Sequence, residues 1–547
     1  MVRATRLPEE VIKHYFAQGL WRPITLSDHW ERNSQRNPNG LAVVDGQRAL
    51  TWTEAKVWTD RLALALIRLG LKRDDVLAIQ LPNSAELPLI RVACEKAGLL
   101  ALPLPRTLRH VEMSYTLSFT EAAAVVVPWV YRDFDYFEMI RSLRKRLPDL
   151  RHILIAGDEV PAGAISLDEV VRRPWEDGID PSALEARRYK AAEVSLINST
   201  TGSTGSPKFA EYTAAARLLY GRGYVDVLGL TEHDVIAALS PAAGGPNIPV
   251  YFAAPQVGAK TVLLRHFEPE TAFELIQQEK VTVACVVPAL LAMMVGCQTR
   301  VRYDLSSVRF WLSVGAPLGS NLAREAEEKL GGMVLNTYGA VDWGGVVFTA
   351  PEDPPEVRYF TVGRPWVGTE VRLVDEEGQV VSIGESGELQ GRGPSCFSGY
   401  YGSPEESLKA WTSDGWFPLR DMGQWDGKGN LIILGRKDEL IIRGGQNIQP
   451  GEIENHLLAH PKVKQAAIVG MPDPIMGQRV CAYIVPETED GLELEELVSF
   501  LRSRQLAPYK FPERLEVMQA LPMVSDTKVD KKFLAADIIE KLRRARG

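Results

Sequence analysis

Residues 53–105 read "TEAKVWTDRLALALIRLGLKRDDVLAIQLPNSAELPLIRVACEKAGLLALPLP" and alternate between two kinds of apolar pattern. Residues 53–70 place apolar side chains at helical spacing and stop at Gly70, which is typical of a helix with a glycine cap. Residues 74–84 predict a buried strand, and residues 85–105 predict a helix followed by another strand. Units of this length favour βαβ connections, in which a parallel sheet carries helices on both faces.

The same rhythm returns at residues 123–157 and 259–290, and it changes after about residue 350. Residues 368–393 and 429–445 are short apolar runs separated by glycine turns, which is more typical of antiparallel strands. The chain therefore carries a second, smaller β region after its α/β part.

The last hundred residues have a different organisation. From residue 452 short helices and strands alternate, and the chain ends in a helix rich in Lys and Arg. We place a domain boundary between Gly435 and Asp438, which predicts a large N-terminal domain over 1–435 and a small α+β C-terminal domain over 436–547.

Composition excludes several classes of function. The 547 residues include 70 acidic and 62 basic side chains, a net charge of -8, which argues against a nucleic-acid binder with a basic surface. The five cysteines form no CxxC pair and the eight histidines show no metal-ligand spacing, so neither a disulfide framework nor a transition-metal site is predicted.

The N-terminus and the hydropathy pattern indicate the compartment. The first residues, "MVRATRLPEEVIKHYFAQGLW", interrupt their apolar positions with charges and lack a signal-peptide core. No apolar stretch reaches the length that spans a membrane, about 18 residues. We therefore expect a soluble cytoplasmic protein without a membrane partner.

A run of small polar residues precedes a single lysine. Residues 199–209 read "STTGSTGSPKF" and follow the apolar run 191–198. Glycines let the backbone approach a ligand, hydroxyls and N–H groups donate to anionic oxygens, and a lysine neutralises charge, so the segment suits a polyphosphate. It does not match a Walker loop, because Pro207 precedes Lys208 and Phe209 follows it. Taken alone, it fits a flexible surface loop equally well.

Five motifs in order decide between these alternatives. Residues 200–208 resemble the phosphate loop of the adenylate-forming superfamily, which contains acyl- and aryl-CoA synthetases, peptide-synthetase adenylation domains and luciferases. Residues 336–342, "NTYGAVD", are similar to its N-x-Y-G-x-T-E segment, and residues 387–401 to its GEL…GYY stretch. Residues 414–454 resemble its long Asp- and Arg-containing signature, and residues 527–532, "TKVDKK", its terminal G-K-x-x-K/R segment.

The resemblance extends over essentially the whole chain and implies a fold. We expect an α/β protein with a large N-terminal body of stacked αβαβα sheets, a smaller barrel-like β subdomain and a small mobile α+β C-terminal domain. Residues 18–55 and 454–479 look most similar to enzymes that activate 2,3-dihydroxybenzoate or salicylate for siderophores.

The resemblance also implies a reaction in two steps. A carboxylate attacks the α-phosphorus of ATP, with Mg²⁺ as cofactor, and gives an acyl-adenylate and pyrophosphate. A thiol then attacks the acyl carbon and releases AMP. No carrier domain is expected in the chain, so the thiol is that of CoA or of a separate carrier protein. A homodimer is the default oligomer. A luciferase-type oxidoreductase and a non-catalytic binding protein are the alternatives.

The family's phosphate and metal residues map onto two segments. Asp342 occupies the position of an acid that supports Mg²⁺, where the family has Glu, and its other interpretation is a helix cap or turn residue. The residues that would hold the β- and γ-phosphates are Thr200, Thr201, Gly202, Ser203, Thr204, Gly205 and Lys208, with Thr204 also a metal ligand.

The resemblance also maps the family's nucleoside-binding residues onto this chain. Asp421 maps onto the carboxylate that accepts both ribose hydroxyls, and Arg436 onto an arginine that contacts the nucleotide; each alone would be assigned to a surface ion pair. Tyr338 is expected to stack on adenine, although an isolated aromatic residue is usually part of a core. The remaining predicted AMP-binding residues are Gly315, Ala316, Pro317, Asn336 and Gly339.

Lys528 is the predicted catalytic lysine of the C-terminal domain. In the family this lysine bridges the carboxylate and the α-phosphate, and the domain then rotates about a hinge that maps to Asp438. Gly444 and Gly445 would then line the tunnel for the thiol. Two departures from the family pattern are Thr527 for Gly and Gln446 for Glu, and a solvated basic segment is the other interpretation of Lys528.

The acyl pocket differs most from the family pattern. Residues 240–252, "SPAAGGPNIPVYF", carry small residues and prolines where the family often has a histidine. We therefore expect a pocket for an acid that is larger or less polar than 2,3-dihydroxybenzoate, such as a bulky aryl or alicyclic acid. Trp343 and Gly344 are expected in one wall, and the predicted pocket residues are Gly244, Gly245, Gly315, Val341 and Gly345.

Overall fold

The structure is a computed structural model that describes residues 7–157, 159–177, 182–200, 207–241, 243, 245–366, 368–443, 446–487, 491–525 and 528–544. The side chains of Asn447, Ser525 and Lys528 also lie outside this description. No helix within these ranges is both long enough and apolar enough to cross a membrane.

The helices of the described residues are α1 (Glu9–Ala17), α2 (Leu26–Arg36), α3 (Trp52–Arg68), α4 (Glu86–Ala97), α5 (His110–Phe119), α6 (Tyr136–Leu143), α7 (Leu167–Arg172), α8 (Ser182–Arg187), α9 (Ala214–Leu228), α10 (Ala254–Val257), α11 (Pro269–Glu279), α12 (Pro288–Gly296), α13 (Ser320–Leu330), α14 (Pro355–Phe360), α15 (Pro404–Lys409), α16 (Pro450–Leu457), α17 (Leu494–Ser503) and α18 (Lys531–Arg544).

The strands before the hinge are β1 (Leu41–Val44), β2 (Ala49–Thr51), β3 (Val76–Ile79), β4 (Leu100–Pro103), β5 (Ala124–Pro128), β6 (Val130–Tyr131), β7 (Phe134–Asp135), β8 (His152–Ala156), β9 (Ile165–Ser166), β10 (Val194–Ser199), β11 (Phe209–Thr213), β12 (Val235–Ala238), β13 (Lys260–Leu263), β14 (Val283–Val286), β15 (Phe310–Val314), β16 (Met333–Tyr338), β17 (Val347–Phe348), β18 (Arg364–Pro365), β19 (Glu370–Val374), β20 (Ser386–Arg392), β21 (Gly399–Tyr400), β22 (Phe417–Trp425) and β23 (Leu431–Arg436). Those after it are β24 (Ile441–Arg443), β25 (Gln446–Ile448), β26 (Val463–Asp473), β27 (Gly477–Pro486), β28 (Arg514–Val517), β29 (Met523–Ser525) and β30 (Lys528–Val529).

Two large sheets form the N-terminal body. One has nine strands in the order β18-β17-β16-β15-β14-β12-β13-β1-β2, and the other has eight in the order β21-β11-β10-β4-β3-β5-β8-β9. Their centres are parallel, as the βαβ rhythm predicts, because each strand is followed by a crossover helix. Antiparallel strands complete the edges at β2, at β17 and β18, and at β11 and β21, so both sheets are mixed.

Helix α4 lies between the two large sheets. All 12 of its residues are buried, including the charged residues Glu86, Arg91, Glu95 and Lys96. Its side chains share one hydrophobic cluster with Leu77 of β3 and Ile236 of β12, one strand from each sheet. Two further clusters lie on the outer faces of the sheets, under α5 and α6 and under α11 to α13. The layers therefore run α, β, α, β, α, which confirms the predicted stack.

Two smaller units follow. The β subdomain is an open antiparallel sheet in the order β19-β20-β22-β23, with edges at β19 and β23. The C-terminal unit has a five-stranded sheet of β24 to β28, with one hydrophobic cluster under α16 and α17 and another under α18. The C-terminal part is therefore α+β, as its alternating short patterns predict.

The two parts of the chain meet at the end of β23. A short 3-10 turn, Lys437–Glu439, joins β23 to β24. Helix α16 packs against β23, and a Cβ on Gly319 would lie 3.3 Å from Leu458, just after α16. The large cleft between the two parts is bounded by these contacts. The boundary between residues 435 and 436 stays a prediction.

The β subdomain is attached to the body through Trp343, which is fully buried. A Cβ on Gly391 of β20 would overlap the Trp343 indole. We therefore expect Gly391→Ala to lower the free energy of unfolding by about 1–3 kcal/mol through overpacking. The measurement is the urea midpoint. Gly427→Ala is the matched control, because nothing lies within 4 Å of a Cβ at Gly427. Equal midpoints for the two variants would contradict this packing.

Candidate functional site

A single cleft brings together most residues that the sequence analysis selected. Its volume is about 2990 Å³, and both the N-terminal body and the C-terminal part line it. The selected residues that line it are Thr200, Lys208, Gly245, Gly315, Ala316, Pro317, Asn336, Tyr338, Gly339, Val341, Asp342, Asp421, Arg436 and Asp438. Those that lie outside the described residues are Thr201, Gly202, Ser203, Thr204, Gly205, Gly244, Gly444 and Gly445.

The polar loop connects two antiparallel strands. Ser199 at the end of β10 pairs with Phe209 at the start of β11. The Thr200 amide donates to the Lys208 carbonyl at 2.8 Å, and the Lys208 amide donates to the Thr200 hydroxyl oxygen at 3.1 Å. These two bonds close the base of the loop, so that Thr200 and Lys208 are fixed side by side on the wall of the cleft.

The ammonium of Lys208 has a carboxylate partner. Its Nζ lies 2.8 Å from Glu406 Oε2 and 4.9 Å from the centroid of the Tyr400 ring. The ion pair is exposed, and the hydrogen bond from Lys208, together with its charge, holds the pKa of Glu406 below its ordinary value. Neither Glu406 nor Tyr400 was predicted from the sequence as a site residue, although Tyr400 belongs to the GYY motif. A phosphate at Lys208 would have to replace or adjoin the Glu406 carboxylate.

Asp342 faces the same corner of the cleft. The Tyr400 hydroxyl donates to Asp342 Oδ2 at 2.9 Å, which links Asp342 to the residue that Lys208 covers. Among the described residues no group of three His, Cys, Asp or Glu side chains could hold a metal ion. The single carboxylate of Asp342 still has donor chemistry that fits Mg²⁺, because this ion binds through one or two carboxylates together with substrate phosphates.

Asp421 is the centre of a buried polar cluster. Its side chain is 10% exposed, and Arg436 Nη1 donates to its Oδ1 at 2.8 Å. The Tyr338 hydroxyl donates to Oδ2. Asp421 and Arg436 are direct neighbours across β22 and β23, whereas Tyr338 comes from the nine-stranded sheet. A carboxylate has about four acceptor positions, so both oxygens keep capacity for further hydroxyl donors.

Burial governs the protonation of this cluster. It raises the pKa of the Asp421 carboxyl above its ordinary value, although Arg436 and the hydroxyl of Tyr338 act in the opposite direction. Burial and the neighbouring carboxylate also raise the pKa of Tyr338 well above its ordinary value, so the phenol remains a donor. The cluster is arranged to keep an acceptor carboxylate ordered in a dry environment.

Some of the residues predicted for the acyl pocket line the cleft and others do not. Gly315, with φ of +91°, and Val341 line the cleft, and the Val341 carbonyl accepts a hydrogen bond from Tyr212. Gly345 does not line it; a Cβ on Gly345 would overlap the indole of Trp343, and both residues are buried behind the wall. The indole of Trp343 fills the space against the β subdomain, and the assignment of Trp343, Gly344 and Gly345 to the acyl pocket stays a prediction.

Asn336 has a structural role in addition to its place in the wall. It is buried, and its Nδ2 donates to the Thr361 carbonyl at 3.1 Å. Its backbone amide donates to the Thr349 hydroxyl oxygen at 2.8 Å. These bonds hold the end of β16, where the segment that contains Tyr338 and Asp342 begins.

Charged contacts surround the turn Lys437–Glu439, which contains the predicted hinge residue Asp438. Lys437 Nζ lies 2.6 Å from Glu388 Oε2, and Arg420 Nη1 lies 3.8 Å from Asp438 Oδ2. Lys531 Nζ lies 2.9 Å from Glu439 in the same turn. The backbone of Lys528 pairs with β29, and the neighbouring residues 529–533 line the cleft.

Comparison with known proteins identifies relatives of the whole chain. The profile of the family described as "AMP-binding enzyme" matches residues 30–401, and that described as "AMP-binding enzyme C-terminal domain" matches residues 452–528. A 2-hydroxy-7-methoxy-5-methyl-1-naphthoate–CoA ligase of Streptomyces carzinostaticus is 32% identical over 97% of this chain and 96% of its own. A 2,3-dihydroxybenzoate–AMP ligase of Bacillus subtilis is 32% identical over 98% of both chains.

Solved structures share the fold. The crystal structure of the anthranilate CoA ligase AuaEII with anthranoyl-AMP aligns with a TM-score of 0.85 at 24% identity, over 95% of this chain and 98% of that one. At this identity the likeness shows the fold alone.

The buried pair of Asp421 and Arg436 makes a prediction about pH. In Arg436→Met the guanidinium no longer lowers the pKa of Asp421, so that pKa rises further above its value in the unfolded chain. The folded state then binds the proton more tightly, and stability falls as the pH rises through that pKa. We expect a loss of about 1–3 kcal/mol at neutral pH and a smaller loss at mildly acidic pH.

Urea unfolding at the two pH values measures this effect. Arg392→Met is the control, because the carboxylate partner of Arg392, Glu370, is 56% exposed. An Arg436→Met loss that is independent of pH would show that Asp421 does not respond to the guanidinium.

Proposed function

The chain belongs to the AMP-binding enzyme family, and from this premise we propose that it activates a bulky aryl or alicyclic carboxylic acid with ATP and transfers the acyl group to the thiol of CoA. The coarser activity, AMP-forming ligation of an acid to a thiol by use of ATP, follows from the family and from the relatives. The observation that carries the proposal is the shared cleft, on which Lys208, Asp421 and the segment after Lys528 all lie.

The first step brings two anions together, so neutralisation of charge is the main task of the site. We assign Lys208 and the hydroxyls of residues 200–204 to the β- and γ-phosphates. We assign Lys528 to the carboxylate and the α-phosphate. The attacking carboxylate oxygen forms the bond to the α-phosphorus while pyrophosphate leaves, and the lysines offset the charge of both groups.

Asp421 is assigned to the ribose. Its two oxygens already accept from Arg436 and Tyr338, which fix the plane of the carboxylate. Both ribose hydroxyls then meet an acceptor that is ordered before binding, which reduces the entropy lost on association. Tyr338 and the Gly315–Pro317 segment are assigned to the adenine and the acyl-phosphate region.

Asp342, with Thr204, would hold Mg²⁺, which supplies charge neutralisation at the phosphates when it is bound. Tyr400 positions Asp342 through its hydroxyl. The chain's own contribution here is to orient one carboxylate toward the phosphate loop.

The thiol acceptor separates two versions of the proposal. The naphthoate–CoA ligase supports CoA, and the dihydroxybenzoate–AMP ligase supports an adenylate that is passed to a separate carrier protein. For the second step we assign Asp438 to the hinge and Gly444 and Gly445 to the thiol tunnel. Homodimer formation and cytoplasmic location stay predictions.

The test is a panel of carboxylic acids with ATP and Mg²⁺, with and without CoA. We expect acid-dependent release of pyrophosphate, and AMP and an acyl-CoA when CoA is present. Adenylate without CoA turnover would favour the carrier protein, and light emission or O₂ consumption would favour the luciferase type. No pyrophosphate with any acid would overturn the proposal in favour of a binding protein.

Lys528→Ala separates the two half-reactions. We expect adenylation to fall by at least about 100-fold, because a cation at the reacting phosphate is lost. Thioester formation from supplied acyl-adenylate should stay within about 3-fold, because that step does not use Lys528. Lys462→Ala is the control and should keep both activities, because Lys462 belongs to the same C-terminal part, is 42% exposed and pairs with Glu496 outside the cleft. Equal losses in both half-reactions would contradict the alternation of domains.

Asp421→Asn tests the ribose assignment. Hydrogen bonds to a charged group contribute about 1.5–3 kcal/mol, so we expect the Kd for ATP to rise at least about 10-fold. Calorimetry with ATP and 2′-deoxy-ATP isolates the ribose. The wild type should prefer ATP, and the variant should lose most of that preference. An unchanged preference would place the ribose elsewhere.

A further inference from the structure

Two arginines are buried in the wall of the cleft without a role in nucleotide binding. Arg91 comes from α4 and Arg217 from α9, and both line the cavity. They are 7% and 3% exposed, which is unusual because arginine is almost never this buried unless it is paired.

Within the described residues neither guanidinium forms an ion pair with a carboxylate. Their neighbours are aromatic: Arg91 lies 4.1 Å from the ring centroid of Tyr251, and Arg217 lies 3.3 Å from that of Tyr212. The Nε atoms of both arginines are buried without a hydrogen-bond partner. Each arginine therefore keeps an unused donor in a dry environment.

The burial of two guanidinium groups without carboxylate partners costs free energy. Burial lowers the pKa of Arg91 to about 10, the positive charge of Arg217 lowers it further, and burial also lowers the pKa of Arg217. Ring faces offset only part of the lost hydration of a cation. An anion that enters between the two groups would remove the repulsion and use their free donors. Guanidinium groups suit a carboxylate best, because their paired N–H groups match its two oxygens.

The arginines lie beside the segment assigned to the acid. Tyr212, under Arg217, donates to the carbonyl of Val341. A Cβ on Gly339 would lie 2.8 Å from the hydroxyl of Tyr220, whose ring centroid is 5.8 Å from Arg217. Arg217 is thus next to residues 339–341. Arg91 lies against the rings of Tyr251 and Phe252, and Phe252 in turn contacts α9, the helix of Arg217, because a Cβ on Gly221 would overlap the Phe252 carbonyl.

We propose that the acid is a dicarboxylic acid with an aromatic or other apolar body, whose second carboxylate is bound by Arg91 and Arg217. This inference rests on the proposed function, since the first carboxylate is the one that attacks ATP. Tyr251 and Tyr220 line the cleft next to the arginines and suit a planar body. On this inference the acid is not less polar than 2,3-dihydroxybenzoate, because the far end of its pocket carries two positive charges.

The first test uses the wild-type enzyme and needs no substitution. Pyrophosphate release is measured for the three isomeric benzenedicarboxylic acids, for their monoamides and for benzoic acid. The amide keeps the shape and removes the second charge. For at least one isomer we expect kcat/KM to exceed that of its monoamide by at least about 30-fold. A monoamide or benzoic acid that equals or exceeds every diacid would overturn the inference.

The second test uses variants. Arg91→Met and Arg217→Met should lower kcat/KM for the preferred diacid by at least about 30-fold and leave the monoamide within about 3-fold. Arg91→Lys should keep part of the preference, because the charge remains. Arg222→Met is the matched control: Arg222 is also in α9, but it donates to the carbonyls of Gly19 and Leu20 outside the cleft. A diacid preference that survives both methionine variants would assign the arginines to packing alone.

The outcomes distinguish this inference from the proposed function. If no acid releases pyrophosphate, the proposed function fails. If monoacids alone are activated, the proposed function stands and the dicarboxylic acid is excluded. Urea midpoints of the variants separate a loss of folding from a loss of recognition, and the wild-type comparison decides the inference if a variant does not fold.

Discussion

The hydrogen-bonded cluster at Asp421 connects the parts of this protein that must act together. Tyr338 comes from the end of the nine-stranded sheet, whereas Asp421 and Arg436 are cross-strand neighbours in the β subdomain, and Arg436 is the last residue before the turn Lys437–Glu439. One buried carboxylate therefore joins the body to the β subdomain. It does so at the junction with the C-terminal part of the chain, where the cleft lies.

The charges around the cleft follow from the same constraint. A site that joins two anions needs cations, but cations in an empty cleft repel one another and lose hydration. The cations that line this cleft have different kinds of partner. Lys208 has the exposed carboxylate of Glu406, and Arg436 has the buried carboxylate of Asp421. Among the described residues Arg91 and Arg217 lie on ring faces and form no ion pair, and this difference is the basis of the proposed second carboxylate.

Much of the fold could be predicted from the sequence, because periodicity and glycine caps are local signals. The helix predicted over residues 53–70 is α3, Trp52–Arg68, and Gly70 has the left-handed φ of +80° that its cap position requires. The antiparallel edges of the large sheets could not be predicted, because strand pairing depends on partners that are far apart in sequence.

The candidate site could be predicted where a motif specifies the residue, as at Asp421 and Arg436. Arg91 could not be found from the sequence, because charged residues in a helix are usually placed on the solvent side. Only the second sheet, which covers α4, shows that Arg91 is buried. The position of the Trp343 indole could not be predicted either, because it depends on contact with Gly391, which is distant in the sequence.

The most direct test of this account is the exchange of labelled pyrophosphate into ATP in the absence of any thiol. The reversible first step predicts exchange that depends on both Mg²⁺ and a carboxylic acid. Exchange that does not depend on the acid, or turnover of ATP to ADP and phosphate, would contradict the assignment of this cleft to acyl-adenylate formation.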